Sequence, residues 1–337
     1  MTCTRFLFVK EEESLIMKRK RWLSRGIVLA MVVALMMPMP VAAKGGKAGG
    51  KLVKSVTEYS YRNNRWEKVS KTAYTYDKKG YPKEITETGF YNHVLGVPMG
   101  ASNDVSTAKY KYKGGAPKSM KLKNTAGVVT GTYKYKKGRV VSYSHKSMYS
   151  DFDDNNVEVV ETTTSTGTVA YNKKGLATSR TDSSTTTYSN GKAPESDSKT
   201  ITYAVTHKKG IPSLIVTTKP VTVYQTTYDD EGNETGEQKT TEMMSDFTKF
   251  DGKGLVVENG YIEKSTGAYK TTCTVEYTKK KGKVKQAVVY EINTVTGAKT
   301  PERMYKFKYD KKKIPAVRYL SMMNSIIGYH DAYFSWY

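Results

Sequence analysis

Polar and apolar positions alternate with a period of two through most of the chain. Lys109-Tyr110-Lys111-Tyr112-Lys113 and Thr132-Tyr133-Lys134-Tyr135-Lys136 place tyrosine on one face and lysine on the other, as in a strand with one covered and one wetted face. The residues filling this pattern are mainly Val, Thr and Tyr, which suit a pleated surface. Strand ends carry a recurring phrase: an aromatic residue, a turn-starting residue, two often basic residues and a glycine. It stands at Tyr76-Asp77-Lys78-Lys79-Gly80, Tyr171-Asn172-Lys173-Lys174-Gly175, Tyr228-Asp229-Asp230-Glu231-Gly232 and Phe250-Asp251-Gly252-Lys253-Gly254. Looser copies lie at Tyr133–Gly138, His207–Gly210, Tyr277–Gly282 and Tyr309–Lys313. Asp or Asn opening a type I turn bonds the backbone two residues on, and a following glycine accepts the left-handed conformation of a bulged hairpin. Pro82, Pro117 and Pro212 follow the turn glycines by two residues, a place where a strand tolerates a missing donor. Turns of a second sort stand between these, at Asn63-Asn64, Thr125–Gly127, Thr266-Gly267 and Thr296-Gly297. The pattern predicts an all-β protein: a long antiparallel meander of repeated hairpins over 56–318, curved or rolled so that its Tyr, Val and Ile face is covered.

The N-terminal segment follows another logic. Lys18-Arg19-Lys20-Arg21 and Arg25 precede an apolar run from Gly26 to Met37, then small residues to Ala43. This is the charged, apolar, small-residue order of a secretory signal. The run falls short of the ~20 residues that span a bilayer, so cleavage near Ala43 and no retained membrane span are expected. Glu11, Glu12 and Glu13 ahead of the basic run fit translation starting at Met17 rather than Met1. Residues 44–55, basic and glycine-rich, read as a flexible linker, and the aromatic tail 319–337 as a cap on the last strand edge.

The Tyr-x-Tyr-Asp-x-x-Gly phrase at 74–80, with weaker copies at 171–175 and 250–255, resembles the YD repeats of the RHS family of bacterial surface and secreted proteins. The resemblance implies a β-repeat protein of the cell surface. Larger members of that family enclose a toxic C-terminal domain, for which the present tail is too short.

Charge narrows the partners. Lysine and arginine number 55 against 32 acidic residues, a net +23. Removing residues 1–43 takes away seven basic and three acidic residues, so the remainder still carries +19. Its one cysteine, Cys273, rules out an internal disulfide. If alternate turns share one sheet edge, Lys78, Lys79, Lys136, Lys137, Lys173, Lys174, Lys208, Lys209, Lys279, Lys280, Lys281, Lys311 and Lys312 line up with clusters ~10 Å apart. That is about one Debye length, so they act as one extended field. The expected partner is a polyanion: a wall polymer, an acidic polysaccharide or extracellular DNA. Asp151, Asp153 and Asn155 alternate like the start of a calcium loop, without its glycine or its closing glutamate; no other cofactor is expected. His93, His145, His207 and His330 are too dispersed for a zinc site, and no Gly-x-Ser-x-Gly elbow occurs. The expectation is a non-enzymatic secreted protein. The alternatives are a hydrolase on a β scaffold, with two carboxylates in a cleft, and an outer-membrane β-barrel, which would need an outward apolar band.

Overall fold

The computed structural model describes residues 50–90, 102–113, 116–124, 127–137, 139–152, 157–173, 176–208, 211–228, 234–314 and 316–327. Among them are sixteen strands and one helix. The strands are β1 (Gly50–Arg62), β2 (Arg65–Tyr76), β3 (Pro82–Gly89), β4 (Ser102–Lys113), β5 (Ala116–Lys123), β6 (Gly127–Lys136), β7 (Arg139–Phe152) and β8 (Glu158–Tyr171). They continue as β9 (Ala177–Tyr188), β10 (Glu195–Lys208), β11 (Ile211–Tyr228), β12 (Glu234–Phe250), β13 (Val256–Ile262), β14 (Tyr269–Lys280), β15 (Lys283–Ile292) and β16 (Lys299–Ile314). The helix α1 spans Ala316–Ile326.

Each strand pairs antiparallel with the next, and β16 pairs back onto β1 from Gly50↔Ile314 to Ser60↔Arg303. The meander is therefore a closed barrel rather than a rolled sheet. Closure gives the first and last strands a partner and removes the two rows of unpaired backbone groups an open sheet would present. The tail consequently has no last edge to cap. Residues 328–337 lie outside the described part, as do the signal segment and residues 44–49. Of the residues read as a linker, 50–55 belong to β1, which begins at Gly50 and buries Leu52 and Val53. A Cβ on Gly50 would lie 2.1 Å from the Tyr319 ring, so the start of β1 is pressed against α1.

Antiparallel order sends the connections after β2, β4, β6, β8, β10, β12 and β14 to one rim, and those after the odd strands to the other. At the first rim every hairpin contains a register shift in the last turns of its even strand, at 75/76, 111/112, 134/135, 170/171, 206/207, 249/250 and 278/279. The extra residue is the bulge that the turn chemistry predicts. At β2–β3, Asp77 Oδ1 accepts from the amides of Lys79 and Tyr81, each at 2.9 Å, and Gly80 has φ +80°. Asp251 repeats the arrangement with Lys253 and Leu255, and Gly254 has φ +85°. One looser copy folds differently. Lys281 and Gly282 both have positive φ between the paired Lys280 and Lys283, which makes a two-residue type I′ loop.

The tyrosine near the end of six of the even strands has a structural task that phenylalanine could not perform. Its ring enters the barrel, and its hydroxyl donates to the carbonyl that opens the preceding odd strand: Tyr76 to Val53 (2.6 Å), Tyr110 to Pro82 (2.7 Å), Tyr135 to Pro117 (2.6 Å), Tyr171 to Val140 (2.7 Å), Tyr277 to Val256 (2.8 Å) and Tyr309 to Val284 (2.7 Å). The ends of these six even strands are thereby tied to the starts of the odd strands before them. Tyr171→Phe keeps the ring and leaves the Val140 carbonyl short of a donor, so it should cost ~1 kcal/mol of stability in urea unfolding. An unchanged midpoint would mean that the hydroxyls do not bind the rim together.

The lumen at this rim is lined by apolar side chains. Val53, Val140, Ile215, Val256, Val284 and Ala287 are buried there, and α1 enters it with Met322, Met323 and Ile326 buried, as is Ile327 just after the helix. Asn324, also buried, donates to the Gly254 carbonyl and accepts from the Val256 amide, both at 3.2 Å. These bonds satisfy the Asn324 amide, which the helix carries inward. The outer wall is the reverse, with Lys71, Lys109, Lys121, Thr132, Lys146, Thr166, Ser183 and Thr200 exposed along the strands.

Candidate functional site: the basic rim

The lysines singled out by the turn phrase belong to one rim. Lys78 and Lys79 stand in the β2–β3 turn, Lys136 and Lys137 in β6–β7, Lys173 in β8–β9, Lys208 at the end of β10, Lys279, Lys280 and Lys281 in β14–β15, and Lys311 and Lys312 near the end of β16. All of these are exposed. Lys174 and Lys209 lie outside the described residues. Neighbouring turns on this rim are two strands apart, ~10 Å. The sequence reading missed further cations delivered to the same rim by the same topology: Lys51 and Lys283 at strand starts, Lys253 within a turn, and Lys313 near the end of β16. The signal for them was available, since strand starts and strand ends alternate between rims.

The fold itself engages three of the named lysines. Lys312 Nζ donates to the carbonyls of Lys78 (2.6 Å) and Asp77 (3.1 Å), reaching past β1 to latch β16 to the β2–β3 turn. Lys279 pairs with Asp251 at 3.2 Å, and Lys79 lies 4.0 Å from the centre of the Tyr112 ring. Crowding of like charge registers at Lys283, whose ammonium is held below its ordinary pKa first by Lys51, with Lys285 and Lys281 adding to the effect. Clustered like charge of this kind is what a bound anion relieves.

The opposite rim differs. Its connections contain Asn63-Asn64, Glu263–Gly267 and Asn293–Gly297, turns without lysine pairs. The calcium reading falls here: Asp151 lies near the end of β7, while Asp153 and Asn155 lie outside the described residues. Among the described residues no group of three or more His, Cys, Asp or Glu is placed to hold a metal. Cys273 in β14 is half-buried against the core.

A concavity of about 340 Å³ lies on the outer wall across β6–β9, lined by hydroxyls including Thr132, Ser142, Ser144, Thr166 and Ser183, with Lys134 beside them and no carboxylate. The pair of carboxylates expected of a hydrolase cleft is therefore absent from its lining. Beneath it, inside the wall, Arg180 pairs with Asp182 at 2.7 Å, Tyr143 donates to the same carboxylate, and His145 Nε2 lies 3.1 Å from the Tyr133 hydroxyl. Burial pushes the His145 pKa down to about 4, and the pull of Asp182 offsets only part of that. The unfolded chain takes up this proton near pH 6.5, so stability is expected to fall as the pH drops from about 6.5 to about 4, by at most 1.36 kcal/mol per pH unit. His145→Gln should remove that slope in unfolding measured across the window. An identical slope in the variant would assign it to other groups.

Compared with known proteins, the chain matches no family model and no curated protein. Among solved structures it is similar to a porin-like protein from Bacteroides uniformis ATCC 8492, with a TM-score of 0.45 and 12% identity over 77% of this chain and 98% of that one. The class is set by the strand order itself: a closed antiparallel up-and-down barrel of sixteen strands. That architecture fits the outer-membrane alternative better than an open repeat sheet.

Proposed function

We propose that the protein is an exported, non-enzymatic barrel that binds anionic polymers through the basic rim. The observation that carries this reading is the delivery of the described turn lysines to one end of a closed barrel, beside Lys51, Lys283 and Lys313. The secretory order of the N-terminal segment supports export, and the turn phrase shared with YD repeats supports a place at a surface. Because α1 occupies the lumen at that rim, an anionic chain would lie across the rim rather than thread it. Heparin and duplex DNA are the probes. Binding is expected to weaken linearly in log K against log salt, as counterion release requires, and binding without salt dependence would remove the proposal.

The second reading seats the same barrel in an outer membrane. Its support is the closure itself, with an even number of antiparallel strands. Opposing it are the outward lysines and threonines, since a lysine at the bilayer midplane costs ~2–4 kcal/mol. Among the described residues no helix is long and apolar enough to cross a membrane, which bears on helices alone. Release from cells by salt without detergent favours the first reading, and release only by detergent favours the second.

A further inference from the structure

The hairpin of β11 and β12 outgrows the barrel. β11 pairs with β10 only from Ile211 to Thr218, and β12 pairs with β13 only from Ser245 to Phe250. From Lys219↔Met244 to Tyr228↔Glu234, among the described residues, the two strands pair with each other alone. At ~3.3 Å per residue the ten residues of β11 in this arm reach ~30 Å, on the side away from the basic rim. Successive residues from Thr241 to Met244 are all exposed, so both faces of the arm meet water.

The chain gives a reason for the parting. Continuing the β10–β11 register past Thr202↔Thr218 would set Thr200 opposite Pro220, and a proline has no N–H to give to a ladder. β10 from Glu195 to Ile201 then pairs with β9 only, and β11 beyond Thr218 is left with an open edge. Such edges are usually blunted by charge. β12 follows that practice with Glu234, Glu237, Lys239 and Glu242, but β11 is uncharged from Pro220 to Tyr228 and rich in Val, Thr and Tyr.

We infer that this edge of β11 is a docking strand for a second copy of the same chain, the two copies pairing antiparallel over 221–228 into a four-stranded intermolecular sheet. Antiparallel self-pairing is isologous and closes at two copies. It brings no like charges together on β11, whereas the same arrangement on the β12 edge would. The arm also suits a strongly basic protein: its ~30 Å reach exceeds a Debye length of ~8 Å at physiological salt, and the two basic rims would point away from the junction. This association does not depend on what the rim binds.

Sedimentation velocity of the purified protein over a range of concentrations is the test, beside two variants. The parent should pass from monomer to dimer as concentration rises. Val223→Lys, which sets a charge on the shared edge, should remain monomeric with the parent's melting temperature. A spin label on Thr222→Cys in a Cys273→Ala background should show an intermolecular distance that appears only with the dimer. A parent that stays monomeric overturns the inference, as does a dimer that survives Val223→Lys or leaves the labels far apart.

Discussion

Met323→Ala is expected to lower stability by about 2–5 kcal/mol. Met323 is fully buried where α1 enters the lumen, and its sulfur lies 3.8 Å from the Tyr309 hydroxyl. That hydroxyl also holds the Val284 carbonyl, so the side chain touches both the plug and the tyrosine belt. A helix lying on an open sheet could sink to fill the space left by a shorter residue. Here the wall is a ring of paired strands, which has little freedom to collapse, so most of the cavity should persist. Denaturant unfolding of the variant measures the cost. A loss below about 1 kcal/mol would mean that α1 is not seated in the lumen.

Replacing Lys78, Lys136, Lys137, Lys280, Lys281 and Lys311 by Gln is expected to weaken binding to duplex DNA by about two orders of magnitude at fixed moderate salt. The slope of log K against log salt should become shallower by about 0.9 for each phosphate that the variant no longer neutralises. These six are exposed, and their side chains take no part in the Lys312 latch, the Lys279–Asp251 pair or the Lys79–Tyr112 stacking; Lys78 gives the latch its backbone carbonyl alone, which Gln keeps. The substitutions should therefore leave the melting temperature close to the parent's. Lys137 and Lys281 occupy left-handed turns, where Gln is no better suited than Lys and no worse. An unaltered salt slope would place the polyanion site elsewhere on the molecule.

The strands were legible because the two-residue period runs without interruption through segments such as 109–113 and 132–136, and their turns were legible because Asp77 and Asp251 have one favourable use before a left-handed glycine. Grouping of the turn lysines followed from counting connections, since antiparallel order alone assigns alternate turns to one rim. Closure was not legible. It depends on β1 meeting β16, a pairing between segments about 250 residues apart that no local pattern encodes. The place of Met322, Met323 and Ile326 was hidden for a related reason: the tail 319–337 read as a cap on a strand edge, and only a closed lumen gives these side chains a place to go. Lys312 read as one more rim charge, while its latch to the carbonyls of Asp77 and Lys78 is created by closure. The parting of β10 from β11 had a visible signal in Pro220, which sits within an otherwise regular strand pattern.

The most direct test compares two sets of six Lys→Gln substitutions of equal charge change. One removes the six rim lysines replaced above, and the other removes Lys71, Lys109, Lys121, Lys123, Lys146 and Lys306 from the outer wall. Heparin and DNA binding measured at two ionic strengths should collapse in the rim set and stay near the parent's in the wall set. Equal losses in both sets would show that net charge alone carries the binding and would contradict the account.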